Sequence, residues 1–151
     1  MLKNWPAAKV IDALEQFKDH YTDVRDAHQK AQENLTDIST IKDMRREVNK
    51  IMPDVYKEKT NSENFLNPRT GEVKTGQYVK SIDFYKDISS FINSSLGLGT
   101  PHEKSHQRDL GKLPANSPLK ISGLFWAQSE VTAYSLNITI INAALKRAES
   151  R

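Results

Sequence analysis

The stretch from Ile121 to Leu145 carries one formal charge, Glu130, although 27% of the residues in the chain are charged. Apolar or small residues recur in it at steps of three and four, which places them along one side of an α-helix. Ser117 and Pro118 supply a cap residue and a first-turn proline ahead of it. The pattern therefore predicts a long central helix over residues 118–149. The apolar stripe consists of Leu124, Ala127, Val131, Tyr134, Ile138, Ile141, Leu145 and Ala148.

A second stripe of the same kind predicts a helix over residues 6–38, with charged residues on its opposite side. Pro6 is placed as its first helical residue, where the missing N–H has no cost. The stripe includes His28, a lone histidine that we expect to be a hydrogen-bonded packing residue. Its members are Val10, Leu14, Phe17, Tyr21, Val24, His28, Ala31, Leu35 and Ile38.

The stripe changes phase after residue 38, so the first helix either continues with a kink or gives way to a second helix. The second helix is predicted over residues 41–52, with Thr40 as its cap and Asp43 as the partner in a weak capping box. Pro53 ends it, because proline lacks an N–H and disfavours helical angles in the residue before it.

Residues 53–77 are polar and predict an irregular appendage with a turn at Asn67-Pro68-Arg69-Thr70-Gly71. Phe65 and Leu66 either pair with Val73 in a small hairpin or belong to a bare loop.

A further apolar stripe predicts a helix over residues 81–96, and Gly97 is suited to end it. Residues 97–117 hold most of the remaining glycines and prolines, which predicts a flexible loop. Together the elements predict an all-α fold: an elongated bundle of three main helices with a short extra helix and a loop-rich appendage, in a single domain spanning residues 1–151.

Composition narrows the choice of function. Cysteine is absent, which excludes disulfides, thiolate metal sites and a cysteine nucleophile. The net charge is only +3, with both signs mixed along the chain, which argues against nucleic acid as a partner. The polar residues of the central helix argue against a transmembrane segment. No secretion signal is visible, so a complete chain is expected to be cytoplasmic; removal of a signal would place it in the periplasm or outside the cell.

One motif could carry chemistry. His102, Glu103 and His106 form the pattern H-E-x-x-H. On a helix the two histidines lie one turn apart on one face and can bind one zinc ion, with Glu103 as the base that acts on metal-bound water. Glu130 is a candidate third ligand.

The residues around the motif argue against this site. Lys104 lies inside the motif, Arg108 and Asp109 follow it, and only Leu110 could anchor such a helix. Glu103 has an ordinary explanation as the capping-box partner of a helix that Thr100 begins. The sequence therefore predicts no cofactor and no metal site. His102 and His106 are the candidate ligands, and Glu103 the candidate base, for the alternative.

Glu130 lies alone among apolar residues, and we expect it to hydrogen-bond to a neighbouring helix, with Tyr134, Tyr85 or Tyr78 as its partner. Other catalytic signatures, such as a phosphate-binding glycine loop or a nucleophile elbow, are absent from the sequence.

The order of features resembles the minor pilus-tip subunits of type IV secretion and conjugation systems. The matching features are Trp5, the long helix from Pro6, the short helix ending in Met52-Pro53-Asp54-Val55-Tyr56, an irregular middle and a final long helix. The resemblance implies a long-helix bundle with a small appendage, and an exported, non-enzymatic role in assembly or adhesion.

The absence of a catalytic set, together with the long heptad stripes, predicts a protein–protein interaction or assembly protein. Its partners are other proteins or further copies of itself, paired through helices, with no small-molecule substrate evident. The alternative is a zinc-dependent metallopeptidase that uses His102, Glu103 and His106, and a third, weaker option is a helical nucleic-acid-binding protein.

Overall fold

The computed structural model describes residues 6–53, 55–56, 65–66, 73–74 and 96–150. Within these ranges lie four α-helices, and the predicted all-α class is confirmed. None of them is long and apolar enough to span a bilayer. The helices are α1 (Ala7–Ala31), α2 (Ile41–Ile51), α3 (Gly99–Gly111) and α4 (Gly123–Glu149). The predicted helix over residues 81–96 lies outside the described residues, apart from its last position.

Besides the α-helices, these ranges contain a two-stranded antiparallel hairpin. It consists of β1 (Phe65–Leu66) and β2 (Val73–Lys74), with Leu66 opposite Val73. Of the two alternatives left open by the sequence, the hairpin is therefore the one that forms, and it lies next to α3.

Helices α1 and α4 run antiparallel and share a core along their length, as their two stripes predict. Near the start of α1, the two helices meet in a first apolar cluster. Near its end, α2 and α3 join them in a second cluster. The first contains Val10, Leu14, Phe17 and Tyr21 of α1 with Ile138, Ile141, Leu145 and Ala148 of α4. The second contains Val24, Ala27 and Ala31 of α1, Met44 and Val48 of α2, Leu110 of α3, and Trp126 and Ala127 of α4.

The first helix ends earlier than its stripe predicts. After a 3-10 turn at Gln32–Asn34, Leu35 is extended, and Ile38 is 93% exposed rather than part of the core. Local polar groups explain the difference: Ser39 Oγ accepts a hydrogen bond from the Thr36 N–H at 2.9 Å, and Thr36 O accepts one from the Ser39 N–H. Such side-chain bonds compete with helix continuation, so the end predicted at residue 38 is wrong.

The short helix α2 has the predicted capping box. Thr40 Oγ1 accepts from the Asp43 N–H at 3.0 Å, and Asp43 Oδ2 accepts from the Thr40 N–H at 2.9 Å. The chain is extended at Met52, ahead of Pro53, as expected.

The starts of α2 and α4 touch. Ser122, rather than Ser117, caps α4, and Ser117 caps the 3-10 turn at Pro118–Ile121 that precedes it. The Gly123 N–H donates to Ser39 O at 2.7 Å, and Thr40 and Ser122 form an isolated antiparallel bridge. A side chain at position 123 would meet Thr40 O at 2.2 Å, so this contact requires glycine.

The segment predicted as a flexible loop over residues 97–117 contains α3, and this prediction is wrong. The helix follows Gly97, whose φ is 61°, and buries Ser105, His106 and Leu110. Its start has no side-chain cap, so the predicted capping box with Glu103 does not form. Apolar periodicity missed the helix because its inner face is largely polar and its partners on α4 are polar as well.

Candidate metal centre

Two histidines of α3 and one glutamate of α4 meet between the helices. His102 and His106 lie one turn apart, so both face α4. His102 Nε2 is 2.9 Å from Glu130 Oε1, and His106 Nε2 contacts the same oxygen. The three candidate ligand atoms lie within 4.8 Å of one another. The exposed fraction of the side chain is 13% for His102, 4% for His106 and 11% for Glu130, so the cluster is nearly closed to solvent.

The other ring nitrogen of His102 is held by Asn137, one more residue of α4. Asn137 Nδ2 donates to Leu98 O at 3.1 Å, which leaves its Oδ1 as an acceptor for the His102 Nδ1–H at 2.6 Å. Because Leu98 O can only accept, the orientation of the amide is fixed. His102 therefore keeps a proton on Nδ1 and presents Nε2 toward Glu130.

A matching pair holds His106. Ser129 Oγ donates to Asp109 Oδ2 at 2.6 Å and lies 2.8 Å from His106 Nδ1. The hydroxyl has one hydrogen and gives it to the carboxylate, so it accepts from the His106 Nδ1–H. His106 also presents Nε2 toward Glu130.

The acceptors that hold the two Nδ1–H groups, Asn137 and the Ser129–Asp109 pair, determine the chemistry of the cluster. In their neutral forms both imidazoles would direct a nitrogen lone pair at a carboxylate oxygen, which is repulsive without a positive charge between them. Either protons on both Nε2 atoms or a metal ion satisfies the arrangement. Two imidazole nitrogens and one carboxylate oxygen form a donor set that suits zinc.

The second oxygen of Glu130 faces a different set of groups. Tyr56 Oη donates to Glu130 Oε2 at 3.0 Å and lies 2.5 Å from His28 Nε2. His28 Nδ1 is 2.7 Å from Val24 O, to which it donates. His28 is fully buried, and burial is the main cause that lowers its pKa, against the opposing charge of Glu130.

Two aromatic rings enclose the histidines. Tyr134 packs edge-on against His102 with ring centroids 4.6 Å apart, and the ring centroids of Trp126 and His106 are 4.9 Å apart. Trp126 is fixed by a hydrogen bond from its indole N–H to Lys120 O at 2.7 Å. These rings exclude water and limit the rotamers of both imidazoles, which strengthens electrostatic interactions inside the cluster.

The charges in the cluster oppose the effect of burial. Burial disfavours the ionised form of Glu130, but His106 and His102 outweigh it and hold the pKa of Glu130 well below its usual range. Burial likewise disfavours a charged His102, but Glu130 outweighs it and raises the pKa of His102 to about 9. Burial raises the pKa of Glu103, which feels the charges of all three residues. Glu130 and His102 thus stabilise each other's charged forms between the helices.

The structure brings together both histidines of the motif with Glu130, the candidate third ligand. Glu103 is half-buried beside them and takes no part in a helix cap. Glu130 bonds to the neighbouring helix, as expected, through His102 and His106, and its tyrosine partner is Tyr56, which the sequence did not predict. Tyr134 packs on His102, and Tyr78 and Tyr85 lie outside the described residues.

Several residues that support the cluster were missed. His28 is the buried, hydrogen-bonded packing residue that the sequence predicts, but no sequence signal indicated its partner Tyr56, which is 28 positions away. Asn137 has no predicted role, although it lies two turns from Glu130 on the same helical face, where a polar residue amid apolar neighbours signals a buried hydrogen bond.

Comparison of the chain with protein-family models, with curated proteins and with solved structures gave no significant match.

Proposed function

We propose that this protein binds one divalent transition-metal ion, zinc foremost, through Nε2 of His102, Nε2 of His106 and Oε1 of Glu130. The observation that carries the proposal is the convergence of these three atoms, with each imidazole already anchored through Nδ1. Histidines that ligate metals almost always donate their other N–H to a carboxylate, carbonyl or water, which sets the tautomer and the ring orientation. The amide oxygen of Asn137 and the Ser129–Asp109 pair supply such acceptors.

The dimensions of the cluster support zinc. Zinc binds imidazole nitrogen and carboxylate oxygen at about 2.0–2.2 Å, so ligands in a tetrahedral site lie about 3.3–3.6 Å apart. The three donor atoms here lie within 4.8 Å of one another. Small movements of the side chains suffice to admit an ion.

In this proposal the ion has a structural role. Leu110 is the one apolar side chain that α3 buries fully, so most of the contact between α3 and α4 is polar. The free energy of metal binding then becomes free energy of folding, because the ligands come together only in the folded chain. The bundle serves as a non-enzymatic interaction or assembly protein, and exposed Ile38 and Ile121, on the two segments that meet at Gly123, suit contact with a protein partner. A role at a pilus tip stays a prediction from the resemblance.

The test is metal content and affinity. Protein stripped with a chelator and titrated with zinc is expected to bind one ion per chain, and His106→Ala or Glu130→Ala is expected to abolish binding. His20→Gln is the matched control, since His20 is the remaining histidine and lies on α1 outside the cluster. Absence of stoichiometric zinc, or equal binding by the His106→Ala variant, would remove the proposal.

A zinc hydrolase is the second candidate, and the position of Glu103 favours it. The side chain is half-buried next to both histidines, and burial raises its pKa, as suits a general base. Glu103→Gln separates the two functions. For a hydrolase, this variant keeps its zinc and loses hydrolysis of a peptide library, whereas a structural site shows no hydrolysis in either protein.

A further inference from the structure

We infer that Tyr56 determines the coordination number of the bound ion, because it keeps one oxygen of Glu130 away from the metal. This inference rests on the proposed metal site. It concerns which ion the site selects, and the Tyr56 side chain is the specificity-determining group.

The two oxygens of Glu130 are divided between two sets of partners. Oε1 faces His102 and His106, while Oε2 accepts a hydrogen bond from Tyr56 Oη at 3.0 Å and lies 3.9 Å from His28 Nε2. A carboxylate that binds a metal through both oxygens must turn both toward the ion. Here that turn would break the hydrogen bond that Tyr56 Oη donates to Oε2, and Oε2 would lose the donor that holds it away from the histidines.

Tyr56 is held in place from several sides. The side chain of Asn49 on α2 makes two hydrogen bonds to the backbone of Tyr56, each at 3.0 Å. Asn49 Nδ2 donates to Tyr56 O, and Asn49 Oδ1 accepts from the Tyr56 N–H. The guanidinium of Arg45 lies 5.4 Å from the centre of its ring, and His28 packs edge-on against the ring. The hydroxyl is therefore positioned before any ion binds, and it does not swing away when one does.

A glutamate limited to one oxygen favours small ions of low coordination number. With two imidazoles it supplies three ligands, which leaves a fourth position for a water molecule in a tetrahedral site of the kind that zinc and cobalt(II) adopt. Calcium requires six to eight oxygen ligands, often including a bidentate carboxylate, and magnesium requires an octahedral set of oxygens. The Tyr56–Glu130 bond therefore selects zinc over these ions.

Cobalt(II) absorption tests the inference, because tetrahedral cobalt absorbs visible light much more strongly than five- or six-coordinate cobalt. The wild-type protein loaded with cobalt is expected to show intense tetrahedral bands. In Tyr56→Phe the freed Oε2 joins the ion, so the bands should weaken several-fold and zinc affinity should fall about 10-fold, a typical effect of losing an outer hydrogen bond. Tyr21→Phe, in the other apolar cluster, is the control and should match the wild type.

The outcomes separate the two proposals. Wild-type protein that binds neither cobalt nor zinc removes the metal site itself. Wild-type protein that binds both, with a Tyr56→Phe variant of unchanged spectrum and affinity, overturns only the role of Tyr56. If Tyr56→Phe fails to fold, X-ray absorption of the zinc-loaded wild type decides: one near carboxylate oxygen supports the inference, and two overturn it.

Discussion

His102 Nε2 lies 2.9 Å from Oε1 of Glu130, although the two residues are 28 positions apart and on different helices. The contact joins a helix that has little apolar surface of its own to the most apolar of the four described helices. It also places a charge where burial alone would exclude one.

This contact predicts how the metal-free protein responds to alkali. Burial opposes a charged His102, but Glu130 outweighs it and raises the pKa to about 9 from 6.5. A group whose pKa is raised by folding stabilises the fold fully below its unfolded pKa and loses that effect as pH rises through its folded pKa. The Tm measured in a chelator should therefore fall between about pH 6.5 and pH 9.

Two controls accompany that measurement. His102→Gln should lower the Tm at pH 6 and flatten its dependence on pH up to pH 9. Zinc-loaded wild type should show no decline over the same range, because the ion replaces the proton on Nε2. A flat profile for the metal-free wild type would contradict the charge balance described above.

Asn137→Ala is expected to weaken zinc binding by about 10- to 100-fold, since the ring of His102 loses the acceptor that orients it. The measurement is competition against a chromophoric chelator at fixed pH. Thr139→Ala is the matched control on α4, because Thr139 is exposed and bonds only to the backbone of its own helix, at Ser135 O. Equal affinities for the two variants would show that Asn137 does not orient the ligand.

Gly123→Ala should destabilise the protein by about 1–3 kcal/mol, the usual range for overpacking. The added methyl group would lie 2.2 Å from Thr40 O, a backbone atom that α2 holds in place. Chemical denaturation measures the effect. Gly111→Ala, at the end of α3, has nothing within 4 Å of the new Cβ and should stay within about 1 kcal/mol of the wild type.

Thr40→Ala should lower the free energy of unfolding by about 1 kcal/mol, because the first turn of α2 loses its side-chain acceptor. Thr132→Ala is the control: it removes a hydroxyl from an exposed threonine of α4 that bonds only to Gln128 O in the preceding turn. The free energies of unfolding obtained from denaturation curves of the two variants should differ by that amount. Coincident curves would argue against the capping box as a source of stability.

The elements that the sequence predicted well are those governed by local rules. The bounds of α2 follow from Thr40, Asp43 and Pro53, and the pairing of α1 with α4 follows from two apolar stripes. The end of α1 did not follow, because hydrogen bonds between Thr36 and Ser39 override the periodicity.

The candidate site was recognised only in part, for a related reason. Apolar spacing is a reliable guide when a helix buries hydrocarbon, but α3 buries imidazole and hydroxyl groups that find polar partners on α4. Such complementarity between distant residues leaves no local pattern. The motif identified His102 and His106, and no spacing rule connected Tyr56 to Glu130 across 74 positions.

The order of these residues along the chain has a consequence for biosynthesis. The ribosome releases Tyr56 first, then the two histidines, and Glu130 after them. A nascent chain that stops before α4 holds the two histidines but lacks the carboxylate between them. In the proposed site, zinc can therefore bind only after α4 has been synthesised, and bound zinc would mark a molecule in which α4 has docked on α3.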